Sequence, residues 1–502
     1  MLLLVAQRHG AGLSPDSIDY LSTGQHIADG RGVVTFDGSA LTPFPPGLSA
    51  LIAVGDWLGL SGTATAALIN FAAIAVTLAG VFVLFRRRVC DPVLRWAGLL
   101  LVALSPALFD ALRFVGSDPL FVAVVVVWLC AVDSESMRRD MGFRAVGGLA
   151  LLSAFGFMIR YAGFTLIATG AIVILLRGWR LSRRAAVAKA AAFTLLAVAA
   201  PAIWLARNHV KDGTLMGLRP PSDLSLLEIL RRTVSTFGSW VLPLNPGNLT
   251  LAAAGFTVVA AVALLAFAHR RGRARPFAAV VWAASLTDPL VVFFVVYVGY
   301  LVVAQWRTAF DPVGTRLMSP AFVPSVVLMV AWLETFVDQL RSSRRSRRAL
   351  LIAAAIFVAG HGAVSLAKSA EMARTGNGLA QVSFRNGPLS TAVMALPSDS
   401  VLISNEARAV WSLRRSDDVY DLPQRDFYSS AADYDAALDR VVQLALCSTQ
   451  PVYLVLFDSA TTDLNSVALT DALAWTTTET NAQGSLLSVT AADRSSVACR
   501  HP

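Results

Sequence analysis

Charge is scarce in this sequence. Asp, Glu, Lys and Arg together make up 15% of the 502 residues, against about 25% in soluble globular domains. That deficit excludes a string of ordinary soluble domains, although the length alone would allow one. Cysteine is scarce too, at four residues, which excludes a disulfide-dense scaffold. The chain has no solenoid-type repeat and no low-complexity segment, and its last 135 residues (368–502) have no Gly-rich phosphate loop and no metal-ligand cluster.

What fills the space is apolar sequence, 55% of the chain, and it comes in blocks. GTATAALINFAAIAVTLAGVFVLF (62–85) and ALLIAAAIFVAGHGAVSLA (349–367) each approach the ~20 residues that cross ~30 Å of hydrocarbon at 1.5 Å per residue. Ten spans are expected, at 63–85, 94–112, 117–133, 143–159, 162–178, 186–206, 249–268, 287–305, 319–338 and 349–367. The net charge of +9 does not indicate nucleic acid, because the arginine runs cap the apolar blocks. Arg86-Arg87-Arg88, Arg138-Arg139, Arg183-Arg184, His269-Arg270-Arg271 and Arg344-Arg345 mark one set of alternating loops as cytoplasmic under the positive-inside rule. Residues 8–46, 207–248 and 368–502 then face outward. MLLLVA is too short to span ahead of Gln7, so either the chain begins outside by following the first hairpin across or an earlier helix is missing from the start, the second being the favoured expectation.

The chain therefore reads as a transmembrane domain over 1–367 and an outer domain over 368–502. In the latter, VLISN (401–405) and PVYLVLFD (451–458) have strand character, and DYDAALDRVVQLAL (433–446) between them has helical spacing. Strand, helix, strand indicates a small α/β fold. Cys447 and Cys499 lie in it; a disulfide and two separate thiols are both compatible with the sequence.

The first outer loop carries the most information. An outer loop without a task is a few residues long; this one, about forty residues, holds Asp16, Asp19, His26, Asp29 and Asp37. SIDYLSTGQHIADG has helical spacing behind a Ser-Pro-Asp start, which puts Asp16 and Tyr20 on one face. A carboxylate here can act as general base toward an acceptor hydroxyl or amine; the plainer reading of each Asp is capping or solvation, which is retained for Asp19, Asp29 and Asp37.

SPDSIDYLSTGQHIADGRG followed by DGSALTPFPPGLSALI resembles the first outer loop of bacterial C-type (GT-C superfamily) glycosyltransferases, membrane enzymes related to protein O-mannosyltransferases and the lipid A aminoarabinose transferase. GSDPLF (116–121), MIRYAGF (158–164), WLARNHVKDGTLMGLRPPSDLS (204–225), FDPVGTRLMSPAFVP (310–324) and LISNEARAVW (402–411) are similar to further elements of that superfamily. The resemblance implies a GT-C-like α-helical polytopic membrane protein of about ten to eleven transmembrane helices with a small extracytoplasmic α/β domain. It implies Asp16 as catalytic base with Tyr20 as companion, and Asp19 as the second choice.

Five outer cations, Arg160, Arg207, Lys211, Arg219 and Arg316, stand where the positive-inside rule disfavours them. Charge at the hydrocarbon boundary needs partners, and a polyprenyl-phosphate sugar donor supplies one, because guanidinium forks match phosphate oxygens. Arg207 and Arg316 are the leading phosphate ligands, and Arg160 has Asp118 as an alternative partner; Tyr161 and Asn208 support them. Snorkelling to lipid headgroups accounts equally for any one Arg. The expected activity is sugar transfer from that donor to a glycan, lipid or protein acceptor at the outer face of the cell membrane. No cofactor or metal is required by the sequence, and the superfamily contains both metal-free and divalent-ion members. A transporter or lipid flippase is the competing reading, but it predicts two related halves that the sequence does not display. A sensor with a polymer-binding outer tail is the third.

Overall fold

The computed structural model describes residues 5–135, 137, 141–179, 181–243, 287–340, 344–416, 418–425, 431–457 and 475–489. In chain order the helices are α1 (Pro15–Ala28), α2 (Gly47–Trp57), α3 (Gly62–Arg88), α4 (Pro92–Leu104), α5 (Pro106–Leu112), α6 (Asp118–Val132), α7 (Phe143–Ile159), α8 (Phe164–Trp179), α9 (Arg183–Asp212) and α10 (Leu226–Val241). They continue with α11 (Pro289–Arg307), α12 (Ser319–Leu340), α13 (Arg344–Thr375), α14 (Val382–Arg385), α15 (Pro388–Ala395), α16 (Ala407–Arg414) and α17 (Ala431–Cys447). The strands are β1 (Val401–Ser404), β2 (Val419–Asp421), β3 (Val452–Phe457), β4 (Trp475–Asn481) and β5 (Gly484–Val489).

The chain separates into two compact units. One comprises Met1–Val5, Ala66–Val210 and Pro221–Ala370; the other comprises Ala6–Thr65, Lys211–Pro220 and Glu371–Pro502.

The first unit is helical and apolar, that of a polytopic membrane protein. Among the described residues, five helical stretches are long and apolar enough to cross a membrane: α3, Tyr161–Trp179, α9, α11 and Leu351–Thr375. The expected span over 94–112 is a bent pair instead. Ser105 ends α4 and caps α5 by accepting from the Ala107 N–H, and Pro106 opens α5; a proline there leaves residue 105 extended and bends the path by 40°. Helices α6 and α7, over two of the other expected spans, are apolar but only 15 and 17 residues long. The expected span at 249–268 lies outside the described residues.

Close packing in this unit follows the small residues. A Cβ at Gly98 would meet the ring of Phe85, and one at Gly170 the ring of Phe193, so each glycine lets an aromatic side chain lie against helix backbone. The buried indole of Trp128 donates to Ser153 Oγ at 2.8 Å, and that hydroxyl donates on to Leu149 O at 2.8 Å. Arg88, at the end of α3, reaches Asp133 and Asp288, each at 2.6 Å. Asp288 also caps α11 through the Leu290 N–H. This is how an arginine of the expected cytoplasmic loops is neutralised.

The second unit builds a five-stranded sheet in the order β2-β1-β3-β5-β4. β1 runs parallel to β2 and β3, while β5 runs antiparallel to β3 and β4. The strand, helix and strand read from 401–405, 433–446 and 451–458 are β1, α17 and β3. Val401, Ile403, Ala445, Val452 and Leu454 form the sheet's buried core on that side. Helix α1 begins with a capping box: Ser14 Oγ accepts from the Ser17 N–H, and Ser17 Oγ accepts from the Ser14 N–H. Helices α1 and α2 pack through Gly24, where any side chain would collide with Ile52. Cys447 is disulfide-bonded, whereas Cys90 and Cys130 are free thiols; Cys499 lies outside the described residues.

Candidate functional site

In the first unit the sequence-selected residues gather around one carboxylate. Asp118 opens α6 ahead of Pro119 and is buried, and the helix N-terminus favours its negative charge. Arg160, in extended conformation at the end of α7, places Nη1 2.5 Å from Asp118 Oδ1 and also donates to Ser117 Oγ at 3.3 Å. Arg316 approaches the other carboxylate oxygen at 3.8 Å and is hydrogen-bonded to Asp311. The Asp311 side chain is 64% exposed, against 22% for Arg316. An ion pair to so exposed a carboxylate is weak, so a phosphate can exchange for Asp311 at little cost.

A second group of residues adjoins Arg160 in the chain. Trp204 and Asn208, four residues apart on α9 and therefore on one face, both donate to Tyr161 Oη, at 3.1 and 3.0 Å. Arg207 donates to Asn208 Oδ1 at 3.0 Å, and its guanidinium lies 4.6 Å from the Trp204 ring centroid. The Arg-Tyr and Arg-Asn elements are thus held together by a buried tyrosine hydroxyl. Asp110, also in this unit, is bound by Lys368 Nζ and accepts from Thr315 Oγ1, each at 2.8 Å.

The other two cations belong to the second unit. Lys211 is exposed near the end of α9. Arg219 donates to Pro43 O at 2.9 Å. Beside it Gly217 has φ +80°, and a Cβ there would come within 2.8 Å of the Pro43 backbone, so only glycine fits. Thr42 Oγ1 donates to the Asp212 carboxylate. The Gly-x-Arg element therefore grips the Thr-Pro-Phe-Pro-Pro segment of the first loop.

The first loop's carboxylates differ sharply in environment. Asp29 meets exposed Arg31 at 2.8 Å, and Asp37 accepts from Thr35 Oγ1, Ser39 N and Ser39 Oγ in a local turn. Asp16 is half-buried in the first turn of α1. Asp19, one turn on, is buried and takes Arg408 Nε on both oxygens, at 3.0 and 3.2 Å. Arg408, on α16, also reaches Asp421 Oδ2 at 3.2 Å and lies over the Phe36 ring. Burial pushes the Asp19 carboxyl up to about 7, and Arg408 only partly opposes this. Arg408 is missing from the sequence reading. Its one local signal is a charge set among residues that become helix core, Ala407, Ala409, Val410 and Trp411; its partner is 389 residues away.

The Asp19 shift has a definite consequence. The folded chain keeps a proton that the unfolded chain releases near 3.8, so this group's contribution to stability falls as pH rises from there to about 7. Removing Arg408 takes the partner from ionised Asp19 and from Asp421, and the first of these losses grows as Asp19 ionises. Arg408→Ala is expected to cost about 1.5–3 kcal/mol at pH 8 and clearly less at pH 5, where Asp19 is neutral. Melting of the purified variant and wild type at both pH values checks this; an equal loss at pH 5 and pH 8 would contradict the assignment.

Taken unit by unit, the chain is a polytopic helical membrane protein whose arginines share a buried carboxylate, with an α/β unit that holds the acidic first loop. No protein-family model matches the sequence, and no curated protein does. Among solved structures it is similar to ArnT from Cupriavidus metallidurans, at 13% identity over 98% of this chain and 96% of that one. The TM-score is 0.61 for the apo state and 0.63 for the state bound to undecaprenyl phosphate. It is also similar to the Archaeoglobus fulgidus oligosaccharyltransferase tethered with an acceptor peptide, at 11% identity, TM-score 0.50, and coverage of 96% of this chain and 73% of that one. The likeness establishes a shared fold over nearly the whole chain.

Proposed function

We propose that the protein is an integral membrane glycosyltransferase that moves a sugar from a polyprenyl-phosphate donor to an acceptor at the extracytoplasmic face. The carrying observation is the pairing of Arg160 and Arg316 with one buried carboxylate, Asp118, in a fold shared with a protein crystallised with undecaprenyl phosphate. Arg316 gives up Asp311 to take a phosphate oxygen, while Asp118 keeps both guanidiniums oriented. Arg207, braced by Trp204 and Asn208, is the third phosphate ligand.

Asp16 is the general base. It takes the proton of the acceptor hydroxyl or amine as that atom attacks the sugar's anomeric carbon. The bond from that carbon to the phosphate oxygen breaks, and the lipid phosphate departs with its negative charge stabilised by arginine. Asp19, buried and held by Arg408, positions helix α1. A base must be reachable by the acceptor's proton, and a half-buried Asp16 meets that condition better than a buried Asp19.

With the bent pair α4–α5, the shorter apolar helices α6, α7 and α12 and the apolar block of sequence at 249–268 added to the five long stretches, the reading is a bundle of ten to eleven spans, and residues 368–502 form the outer domain. The disulfide at Cys447 supports an oxidising compartment for that domain. No described group of three His, Cys, Asp or Glu side chains is arranged to hold a metal ion. The test is transfer of radiolabelled sugar from membrane lipid donors in vesicles carrying the protein. The reading predicts label in a second glycan, lipid or protein, with loss of the sugar-bearing lipid. Transport of the intact lipid without cleavage would replace it with the flippase reading.

A further inference from the structure

The second unit contains a cleft of about 450 Å³, inside the range of small-molecule sites. Pro15, the residue before Asp16, forms part of its wall. The rest comes from the turn at Asp37, the β1–α16 junction, the segment following β2, and α17. Its polar groups are planar and of both signs: the carboxylates of Asp37, Glu406 and Asp421, the guanidiniums of Arg408 and Arg440, and the Gln424 amide; the Asn405 amide, also in the wall, is spent on the Phe457 backbone. Tyr420 and Pro423 add flat apolar surface.

We propose that this cleft is a carbohydrate subsite that binds an uncharged sugar of the acceptor. Carboxylate, guanidinium and amide groups each offer two acceptors or donors at the spacing of neighbouring hydroxyls, and ring faces take the C–H faces of a sugar. An anion fits poorly. Three carboxylates outnumber two guanidiniums, and Arg408 is already engaged by Asp19 and Asp421. The donor's phosphate has no complement here, whereas an acceptor glycan does. The role in acceptor recognition rests on the glycosyl-transfer reading; the binding of sugar does not.

Two positions test the cleft without touching the buried pair. Gln424 and Arg440 both line it and are exposed, so Gln424→Trp obstructs it and Arg440→Ala removes one donor set while the fold is kept. Full-length protein in nanodiscs, with no lipid donor present, is applied to an array of neutral hexose and pentose oligosaccharides alongside the same backbones as uronates and phosphate esters. Wild type is expected to bind neutral oligosaccharides in preference to the anionic ones. Gln424→Trp should weaken binding at least about tenfold, a change of roughly 1.4 kcal/mol, with its melting temperature unchanged, and Arg440→Ala should weaken it less. Failure of wild type to bind any neutral oligosaccharide, a preference for the anionic forms, or undiminished binding by Gln424→Trp would each overturn the proposal. A wild-type protein that binds neutral sugar yet never consumes lipid donor would instead overturn the transferase reading and leave the cleft intact.

Discussion

Replacing Asp16 with asparagine is expected to lower sugar transfer by about 10²–10⁴-fold, the range contributed by a positioned general base, with protein level and melting temperature close to wild type. The substitution keeps the size and one oxygen of the side chain but removes the proton acceptor. Asp16 lies in the first turn of α1, behind a capping box made by Ser14 and Ser17, so the helix start does not depend on its carboxylate. Asp16→Glu retains a base at the wrong reach and should recover part of the rate. Initial rates at saturating lipid donor distinguish these outcomes, and transfer by Asp16→Asn within about twofold of wild type would remove Asp16 from the mechanism. Asp19→Asn provides the contrast. Its effect should fall mainly on stability, because its carboxylate faces Arg408 in the interior of the second unit.

The second large effect is expected at Arg316. Arg316→Ala should reduce donor turnover by about 10²–10³-fold, equivalent to roughly 2.7–4 kcal/mol of lost stabilisation of a departing anion. The fold should tolerate the change, because Arg160 remains 2.5 Å from Asp118 and the lost partner Asp311 is exposed to water. Arg316→Lys keeps the charge but not the fork and should rescue only partly. Turnover measured against donor concentration checks this. An Arg316→Ala enzyme that is normal at every donor concentration would mean that the guanidinium serves only Asp118.

Much of this was legible along the chain where the physics is local. The helix read at 143–159 is Phe143–Ile159, because an apolar run has few other ways to satisfy its backbone in hydrocarbon. Ser14-Pro15 announced the start of α1 through its capping chemistry, and the alternative partner named for Arg160, Asp118, is the one it has. Breaks and long-range pairs were harder. The bend at Ser105-Pro106 sits inside an apolar block whose average hydropathy conceals it. The β4–β5 hairpin is written in WTTTETN and GSLLSV, where polar threonines hide the alternation that marks a strand. The Arg408–Asp19 pair joins residues 389 positions apart, and no periodicity reaches that far. Arg219 is legible in the sequence only as a cation of an outer loop; its hydrogen bond to Pro43 O depends on how that loop folds back.

The central claim is cleavage of a lipid-linked sugar phosphate, and mass spectrometry of the lipids tests it most directly. Purified protein in nanodiscs with an undecaprenyl-phosphate-linked sugar and membrane-derived acceptor should convert the donor to undecaprenyl phosphate, one molecule for each sugar gained by the acceptor, with Asp16→Asn and Arg316→Ala both deficient. A donor lipid recovered whole after incubation with active, folded wild-type protein across the sugar lipids of the membrane would contradict the account.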